Sequence, residues 1–399
     1  MTTPVTSTTQ NPAAATSGAA ANSDAMSQLS GNFNTFLPHH DTDEAGNTTS
    51  YTYTGELLTG VTYPGGQTVV YDYDPVRKNL EWTQVTPTSG AVTNTYISYE
   101  ASCTSGNILY CNKPKTTTDA LGNVTDYTYD ATHGGLTAIT LPSPGGGAAR
   151  PEVRTTYAGF NAYIKNSGGS FVATSGTIYL PTAVKTCTTG AGNACGGAAN
   201  EIVATTAYGS TGVANNLLPT SVSAGPGNGT SPTIATSTMT YNGLGQVTSV
   251  DGPLSGADDT TYYRYDAYWR PVGTVEPDPD GGSALKPRAT RLTYDSTIGN
   301  VARVELGTVN SASDSPWDAN FTTTVKVETA YDAFNRPNKK VTKDAGGTIL
   351  GVSQTSQYAT GEVECQTVRT NSADFASPPS ACTQGTGTAD LMTGYGYDS

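Results

Sequence analysis

Short stretches in which every second side chain is apolar or aromatic recur along the chain from residue 46 onward. In "TTYYRYDAYWR", Tyr263 and Tyr265 fall on one face of a strand and Arg264 and Asp266 on the other, because successive strand side chains point to opposite faces. No stretch of a dozen residues has the spacing of three and four that marks an amphipathic helix. The pattern therefore predicts an all-β protein.

Most of these stretches end in Tyr-Asp or a close variant, followed by a short turn with Gly or Asn and a second strand. An aspartate at the first turn position can accept hydrogen bonds from backbone N–H groups of the turn, so each unit is predicted to be a β-hairpin. The predicted core positions of the repeat are Tyr53, Tyr73, Asp74, Tyr129, Asp130, Tyr241, Tyr265, Asp266, Tyr294, Asp295, Tyr331 and Asp332.

The hairpins form a tandem repeat of about eleven units, most of them about 20 to 39 residues apart. A single hairpin is marginally stable in water, so we expect the units to stack into a curved or spiralling sheet with its tyrosines in ladders. Gly/Ser/Asn-rich insertions, such as "IKNSGGSFVATSG" at 164–176 and "SAGPGNGTSP" at 223–232, are predicted to be hairpin tips or connecting loops.

Two segments differ sharply in composition. Residues 1–45 are rich in Thr, Ser, Ala, Asn and Gln and are predicted to be a disordered low-complexity arm, because they cannot bury enough apolar surface to offset the entropy of ordering. Residues 46–399 are the repeat region, and we expect it to be incomplete at its C-terminus, where "TGYGYDS" ends at a predicted turn.

Composition and charge narrow the function classes. Tyr (24) far outnumbers Phe (7), which suits half-buried sheet faces. The net charge of -13 and pI of about 4.6 argue against a nucleic-acid partner, since phosphate binding relies on clustered Lys and Arg. No apolar run approaches the roughly 18 residues of a membrane-spanning helix, so no membrane span is predicted.

Six cysteines fall into three local pairs: Cys103 with Cys111, Cys187 with Cys195, and Cys365 with Cys382. We interpret them as disulfides that close loops, with free buried thiols as the alternative. Disulfides favour an oxidising compartment, and hence an extracellular or cell-surface protein. The N-terminal residues lack the basic and apolar regions of a secretory signal, so the export route is open.

Taken together, "YDYD" at 71–74, "DALGNVTDYTYD" at 119–130, "YRYDAYWRP" at 263–271 and "YDAFNRP" at 331–337 resemble the rearrangement hot spot (RHS), or YD-repeat, family. The resemblance covers about 350 residues. It implies a strip of β-sheet that spirals into a hollow shell, as in bacterial polymorphic toxins, insecticidal toxin complexes and teneurins. The chain lacks the family's autoproteolytic core segment and effector domain, so self-cleavage is not implied.

Candidate chemistry is sparse, and we predict a protein that is not an enzyme and needs no cofactor. The three histidines lie in or beside predicted loops, and the turn aspartates recur once per unit, as turns require and a single active site does not. Glu276, Asp278 and Asp280 form a weak candidate Ca²⁺ loop that is interrupted by prolines. Tyr262, Tyr268 and Trp269 are candidates for stacking on sugar rings, with packing inside the sheet as the alternative.

The sequence thus favours a non-catalytic, exported repeat scaffold, either part of an RHS-type shell or a cell-surface adhesion structure. Its partners would be other segments of a larger RHS polypeptide, or a cell-surface protein or glycan. One alternative is a module that binds carbohydrate or a protein partner. Another is a homo-oligomer or fibre in which residues 1–45 of one copy complete the open sheet edge of the next.

Overall fold

The computed structural model of the protein describes residues 37–145, 148–187, 200–227, 234–256, 259–280, 284–311, 317–386 and 390–397. These residues form 24 strands, together with short 3₁₀ helices at Trp317–Asn320 and Ser372–Asp374. They contain no α-helix, and every printed pairing of strands is antiparallel, so the predicted all-β hairpin fold is confirmed. The chain divides into two compact units, Met1–Thr125 and Asp126–Ser399.

The first unit is a run of antiparallel strands in which each pairs with the next along the chain. Its strands are β1 His40–Thr42, β2 Thr48–Thr54, β3 Leu57–Thr62, β4 Thr68–Tyr73, β5 Leu80–Thr86, β6 Thr93–Ser98 and β7 Thr116–Thr118. Residues 1–36 of the predicted arm lie outside the described residues, and β1 falls within the segment assigned to the arm.

The second unit continues this up-and-down order from β8 to β24. Its strands are β8 Val124–Tyr129, which crosses the boundary, β9 Leu136–Thr140, β10 Glu152–Lys165, β11 Phe171–Cys187, β12 Glu201–Tyr208, β13 Pro219–Pro226, β14 Ala235–Tyr241, β15 Val247–Asp251, β16 Thr261–Tyr265, β17 Pro271–Val275, β18 Arg288–Tyr294, β19 Val301–Thr308, β20 Thr322–Tyr331, β21 Pro337–Asp344, β22 Ile349–Gln357, β23 Val363–Arg369 and β24 Leu391–Gly394.

A one-residue β-bulge accompanies the repeat tyrosine in hairpin after hairpin. Thr52 pairs with Gly60 but Tyr53 pairs with Leu58, so Thr59 is the extra residue, and its hydroxyl donates to the carbonyl of Thr52 at 3.2 Å. The same shift occurs at Asp72/Tyr73, Thr128/Tyr129, Thr156/Tyr157, Ala207/Tyr208, Thr240/Tyr241, Arg264/Tyr265, Thr293/Tyr294 and Ala330/Tyr331. A bulge increases local twist and re-aims the side chain beside it.

Apolar burial is modest, as expected for a sheet whose strands pack mainly edge to edge. In the second unit, Val275, Ala289 and Val309 form a small buried cluster. Tyr262 and Phe321 pack against this cluster. Much of the ordering must therefore come from strand pairing and from polar contacts between hairpins.

The insertion at 164–176 is mostly strand rather than loop. β10 and β11 contain 14 and 17 residues, and only residues 166–170 turn between them. The sequence prediction gave too much weight to the glycines and serines. Ile164, Phe171 and Val172 have the β-branched and aromatic side chains that favour strands.

Two of the three predicted cysteine pairs are joined in the structure. Cys103 bonds Cys111, and Cys365 bonds Cys382, with Cα atoms 5.2 and 5.3 Å apart. Cys187 is buried at the end of β11, and its predicted partner Cys195 lies outside the described residues.

Candidate functional site

The repeat tyrosines fasten each hairpin to the one before it. The Tyr73 hydroxyl donates to the Leu58 carbonyl at 2.9 Å, and Leu58 is the residue that pairs with Tyr53 of the preceding hairpin. The same geometry joins Tyr99 to Leu80, Tyr157 to Leu136, Tyr208 to Pro181, Tyr241 to Pro219, Tyr265 to Val247, Tyr294 to Pro271 and Tyr331 to Val301. Tyr53 and Tyr397 donate to the carbonyls of Pro38 and Val363, which do not pair with a repeat tyrosine. We call this set of bonds the tyrosine ladder.

Burial keeps several ladder phenols in their protonated, donating form. It raises the pKa of Tyr73, Tyr99, Tyr208 and Tyr241 above the ordinary value, because the charged phenolate would lose hydration. The pKa of Tyr129, at the same position of its own repeat unit, is raised for the same reason. These phenols therefore stay protonated at neutral pH and can donate.

The turn aspartates use their carboxylates to hold the turns, as the sequence predicted. Oδ1 of Asp74 accepts hydrogen bonds from the N–H groups of Val76 and Arg77. Such backbone donors hold the pKa of Asp74, Asp130 and Asp295 below its ordinary value, against a smaller opposing effect of desolvation. The charged carboxylates are structural acceptors.

Two turns add an arginine at their fifth position. Arg270 pairs with Asp266 at 2.8 Å, and its guanidinium lies 4.1 Å from the ring centre of Tyr294, on the next hairpin. Desolvation would raise the pKa of Asp266, but the hydrogen bonds and charge of Arg270 outweigh it, and the pKa lies below its ordinary value.

Arg336 repeats this arrangement with Asp332 at 2.7 Å and donates to the Tyr358 carbonyl at 2.9 Å. Arginine at this position therefore binds its own turn and also contacts the hairpin that follows.

These same two turns expose aromatic rings to solvent, and we call residues 266–270 and 332–336 the aromatic turns. Tyr268 is 79% exposed, Trp269 51% and Phe334 64%. Trp269 has φ of +64°, in the left-handed region that other turns fill with glycine, such as Gly245 at +81°. This conformation costs a residue with a Cβ about 1–2 kcal/mol, and strain of this kind concentrates at functional positions.

Neighbouring groups hold the aromatic turn at 266–270 in place. The Gln246 side chain donates to the Trp269 carbonyl at 2.8 Å, and the Arg270 guanidinium lies 5.3 Å from the ring centre of Tyr268. The turn thus presents two rings on a braced backbone, a form suited to stacking against a flat apolar face. Tyr262, the third sugar-stacking candidate, packs instead against the cluster of Val275, Ala289 and Val309.

The candidate Ca²⁺ loop is engaged with its own backbone. A carboxylate oxygen of Asp278 accepts the Asp280 N–H at 3.2 Å, and one of Asp280 accepts the Leu285 N–H at 2.9 Å. Across the described ranges, no group of three or more His, Cys, Asp or Glu side chains is arranged to hold a metal ion. Glu276 and Asp278 lie in the segment after β17, and Asp280 lies in the turn that follows.

His133 lies in the turn after β8, where the sequence predicted a loop, and its side chain is 11% exposed. Its ring stacks on Tyr179 at 4.4 Å and lies 4.7 Å from Tyr157. Nδ1 accepts the Gly135 N–H at 3.0 Å, and Nε2 lies 3.4 Å from an Asp130 carboxylate oxygen. These contacts place the histidine at the root of the long β10–β11 hairpin.

No protein-family model matches the chain, and no curated protein matches it. Among solved structures, a TcdB2-TccC3 crystal structure without its hypervariable C-terminal region aligns at 12% identity and a TM-score of 0.27, over 84% of this chain and 19% of that chain. A holotoxin pore of Photorhabdus luminescens aligns at 12% identity and a TM-score of 0.25, over 84% of this chain and 18% of that chain.

A porin-like protein of Bacteroides uniformis aligns at 12% identity and a TM-score of 0.21, over 66% of this chain and 91% of that chain. Superpositions this loose do not define a fold, and the all-β architecture rests on the strand pairings given above. The chain spans about a fifth of the length of the toxin-complex chains it matches. Among the described residues, no helix has the length and apolar character needed to cross a bilayer.

Sequence reasoning found the tyrosines and aspartates but missed two features. The arginines at the ends of the aromatic turns stand in the sequence as "YWRP" and "FNRP", and this recurring Arg-Pro was the available signal. Nothing in one unit's sequence shows that its tyrosine bonds the backbone of the preceding unit, since that acceptor is a carbonyl every residue possesses.

Proposed function

We propose that the chain is a non-catalytic, exported scaffold whose hairpins form part of the wall of a larger RHS-type shell. The observation that carries this proposal is the tyrosine ladder, in which each phenol bonds the backbone of the preceding hairpin. A wall needs every unit fixed to its neighbours, and an enzyme needs a distinct site. The repeat tyrosines form bonds between units, and this supports a wall rather than an enzyme.

Export is supported by the disulfides Cys103–Cys111 and Cys365–Cys382, which persist mainly in oxidising compartments. The partners of a wall segment are the neighbouring segments of the same polypeptide. Strand donation by residues 1–45 stays a separate prediction, because residues 1–36 lie outside the described part of the chain.

The test is a cryo-electron microscopy structure of the natural polypeptide that contains this chain, with limited proteolysis of the same sample. We expect residues 46–397 to form continuous wall around an interior, and any enclosed segment to resist protease until the wall is unfolded. A map in which these hairpins form an open strip with no enclosed volume would overturn the shell role.

A second candidate, a carbohydrate-binding surface, is favoured by the strained and exposed Trp269 beside Tyr268. Trp269→Gly removes the stacking ring and also relieves the left-handed backbone, so binding to a polysaccharide should fall at least about tenfold while thermal stability holds or rises. Glycan-array screening followed by calorimetry measures the first, and thermal unfolding the second.

Leu285→Ala is the matched control, because Leu285 is 60% exposed and lies away from the aromatic turns. Equal glycan binding by the wild type and Trp269→Gly would exclude this site, and so would the absence of any glycan ligand.

A further inference from the structure

One hairpin is built differently from the other repeat units. In the other units the strand ends at or within one residue of the repeat tyrosine, but β10 continues from Tyr157 to Lys165 before the chain turns at Asn166. β11 returns alongside it, with Ile164 opposite Val172 and Phe160 opposite Ile178. We call residues 158–180 the β-arm.

The base of the β-arm is held on both sides. His133 stacks on Tyr179 at 4.4 Å from the turn after β8. From the turn after β12, Asn216, which is 4% exposed, donates to the Asn161 carbonyl at 2.8 Å. A ribbon fixed at its root has less rigid-body freedom to lose on docking, which lowers the entropy cost of binding.

Beyond this base, the strands of the β-arm pair only with each other among the described residues. β9 pairs with β10 only at Glu152–Arg154, and β12 pairs with β11 only at Ala183–Cys187. Both outer edges of the ribbon therefore carry backbone N–H and C=O groups with no strand beside them, a template for another strand.

The β-arm also lacks the usual protection of a strand edge. Residues 158–180 contain no proline and no acidic residue, and Lys165 is their one charged side chain. Several apolar side chains on the ribbon are open to solvent: Ile164 at 57%, Val172 at 40%, Ile178 at 40% and Phe171 at 37%. Proteins normally place charges or prolines at such edges to prevent pairing.

We infer that the β-arm is a self-association surface, in which the free β11 edges of two copies pair antiparallel about a twofold axis. The same segment serves both copies, so the contact closes at a dimer and does not propagate. The charge distribution favours an interface at the β-arm, because the chain has a net charge of -13 but residues 153–200 contain no Asp or Glu. Two copies can approach there without the acidic repulsion found elsewhere on the chain.

Sedimentation velocity of the purified chain at about 1–100 μM and about 0.15 M salt tests this. We expect a dimer that grows with concentration. A variant with residues 162–176 replaced by Asn-Gly, which joins the paired residues Asn161 and Thr177 by a tight turn, should stay monomeric. The double variant Val172→Lys/Ile178→Lys should raise the dimer dissociation constant at least about tenfold.

Leu306→Lys is the matched control, because Leu306 is 53% exposed on β19, outside the β-arm. This variant should dimerise as strongly as the wild type. Near-ultraviolet circular dichroism and the urea midpoint report whether each variant is folded. If the shortened variant does not fold, the double lysine variant tests whether the β-arm forms the dimer. A wild type that remains monomeric throughout, or a folded double lysine variant that dimerises as well as the wild type, overturns the inference.

Discussion

At the scale of single residues, the repeat tyrosine joins two hairpins with one side chain. Its backbone sits at the bulge of its own unit, and its hydroxyl reaches the carbonyl opposite the preceding unit's tyrosine, as Tyr73 reaches Leu58. Phenylalanine would keep the ring packing but lose the bond. The ladder therefore accounts for part of the excess of Tyr, at 24 residues, over Phe, at 7.

Tyr331→Phe should therefore destabilise the protein by about 1 kcal/mol, because the Val301 carbonyl loses a donor at 2.8 Å. Urea denaturation measures the change. Tyr268→Phe is the control: Tyr268 is 79% exposed, and its substitution should stay within about 0.5 kcal/mol of the wild type. Equal midpoints for Tyr331→Phe and the wild type would show that the hydroxyl does not contribute.

The turn aspartates make stability depend on acid pH. Backbone N–H donors hold the pKa of Asp74, Asp130 and Asp295 below the unfolded value of about 3.9, so the charged form is favoured on folding. This contribution is fully present above about pH 4 and is lost as the pH falls through the lower folded values. The urea midpoint should drop between about pH 4 and pH 2.

Protonation of other acids also relieves repulsion in a chain of net charge -13, so a variant must separate the two effects. Asp295→Asn keeps a turn-forming side chain but does not titrate, and its urea midpoint should fall less steeply with acid than that of the wild type. Parallel pH profiles for the two proteins would contradict a role for this carboxylate.

At the scale of elements, each hairpin has a bulge beside its repeat tyrosine. The loops that join one hairpin to the next differ greatly in length. Residues 370–390 form a long connection between β23 and β24. Arg369 anchors it through a fully buried pair with Asp390 at 2.7 Å and through bonds to the carbonyls of Pro379 and Ser380. The Cys365–Cys382 disulfide closes the same segment.

Removing that disulfide with Cys365→Ser/Cys382→Ser should cost about 3 kcal/mol, because the bond constrains 17 residues of the unfolded chain. Hydrogen exchange in β23 and β24 measures the loss locally. Cys103→Ser/Cys111→Ser, with a separation of 8, should cost somewhat less and leave β23 and β24 unchanged. No change in exchange after the first substitution would mean that Arg369 and Asp390 suffice to hold the loop.

The sequence predicted elements well where the residue type itself marks a turn or a strand end. Asp266 at a turn start and Tyr265 at a strand end are both local signals, and both lie where the pattern put them. It predicted less well where strand pairing or contacts with distant residues determine the conformation. Residues 164–176 were predicted to be loop from their composition, but most of them are strand because Tyr163, Ile164 and Lys165 pair with Ala173, Val172 and Phe171. For Tyr262 the sequence left sugar stacking and packing inside the sheet open, and the structure shows packing on Val275 and Ala289 from neighbouring strands.

At the scale of the whole molecule, each of the two compact units is a succession of strands that pair with their immediate neighbours in the sequence. Proteins of this kind gain stability as a sum of units and nearest-neighbour interfaces. The tyrosine ladder belongs to the interface contribution, since each bond crosses from one hairpin to the preceding one. We therefore expect damage in one hairpin to leave distant hairpins folded.

Tyr241→Phe tests this additivity within the second unit. It removes the bond from the Tyr241 hydroxyl to the Pro219 carbonyl at 2.7 Å, so exchange protection should fall in β12 to β15. Protection in β20 to β23 should not change, because those strands share no contact with the altered interface. Hydrogen exchange read by mass spectrometry on peptides from both regions measures this. An equal loss of protection in both regions would show instead that the second unit unfolds as one cooperative block, and the ladder would then stabilise the whole sheet through each of its bonds.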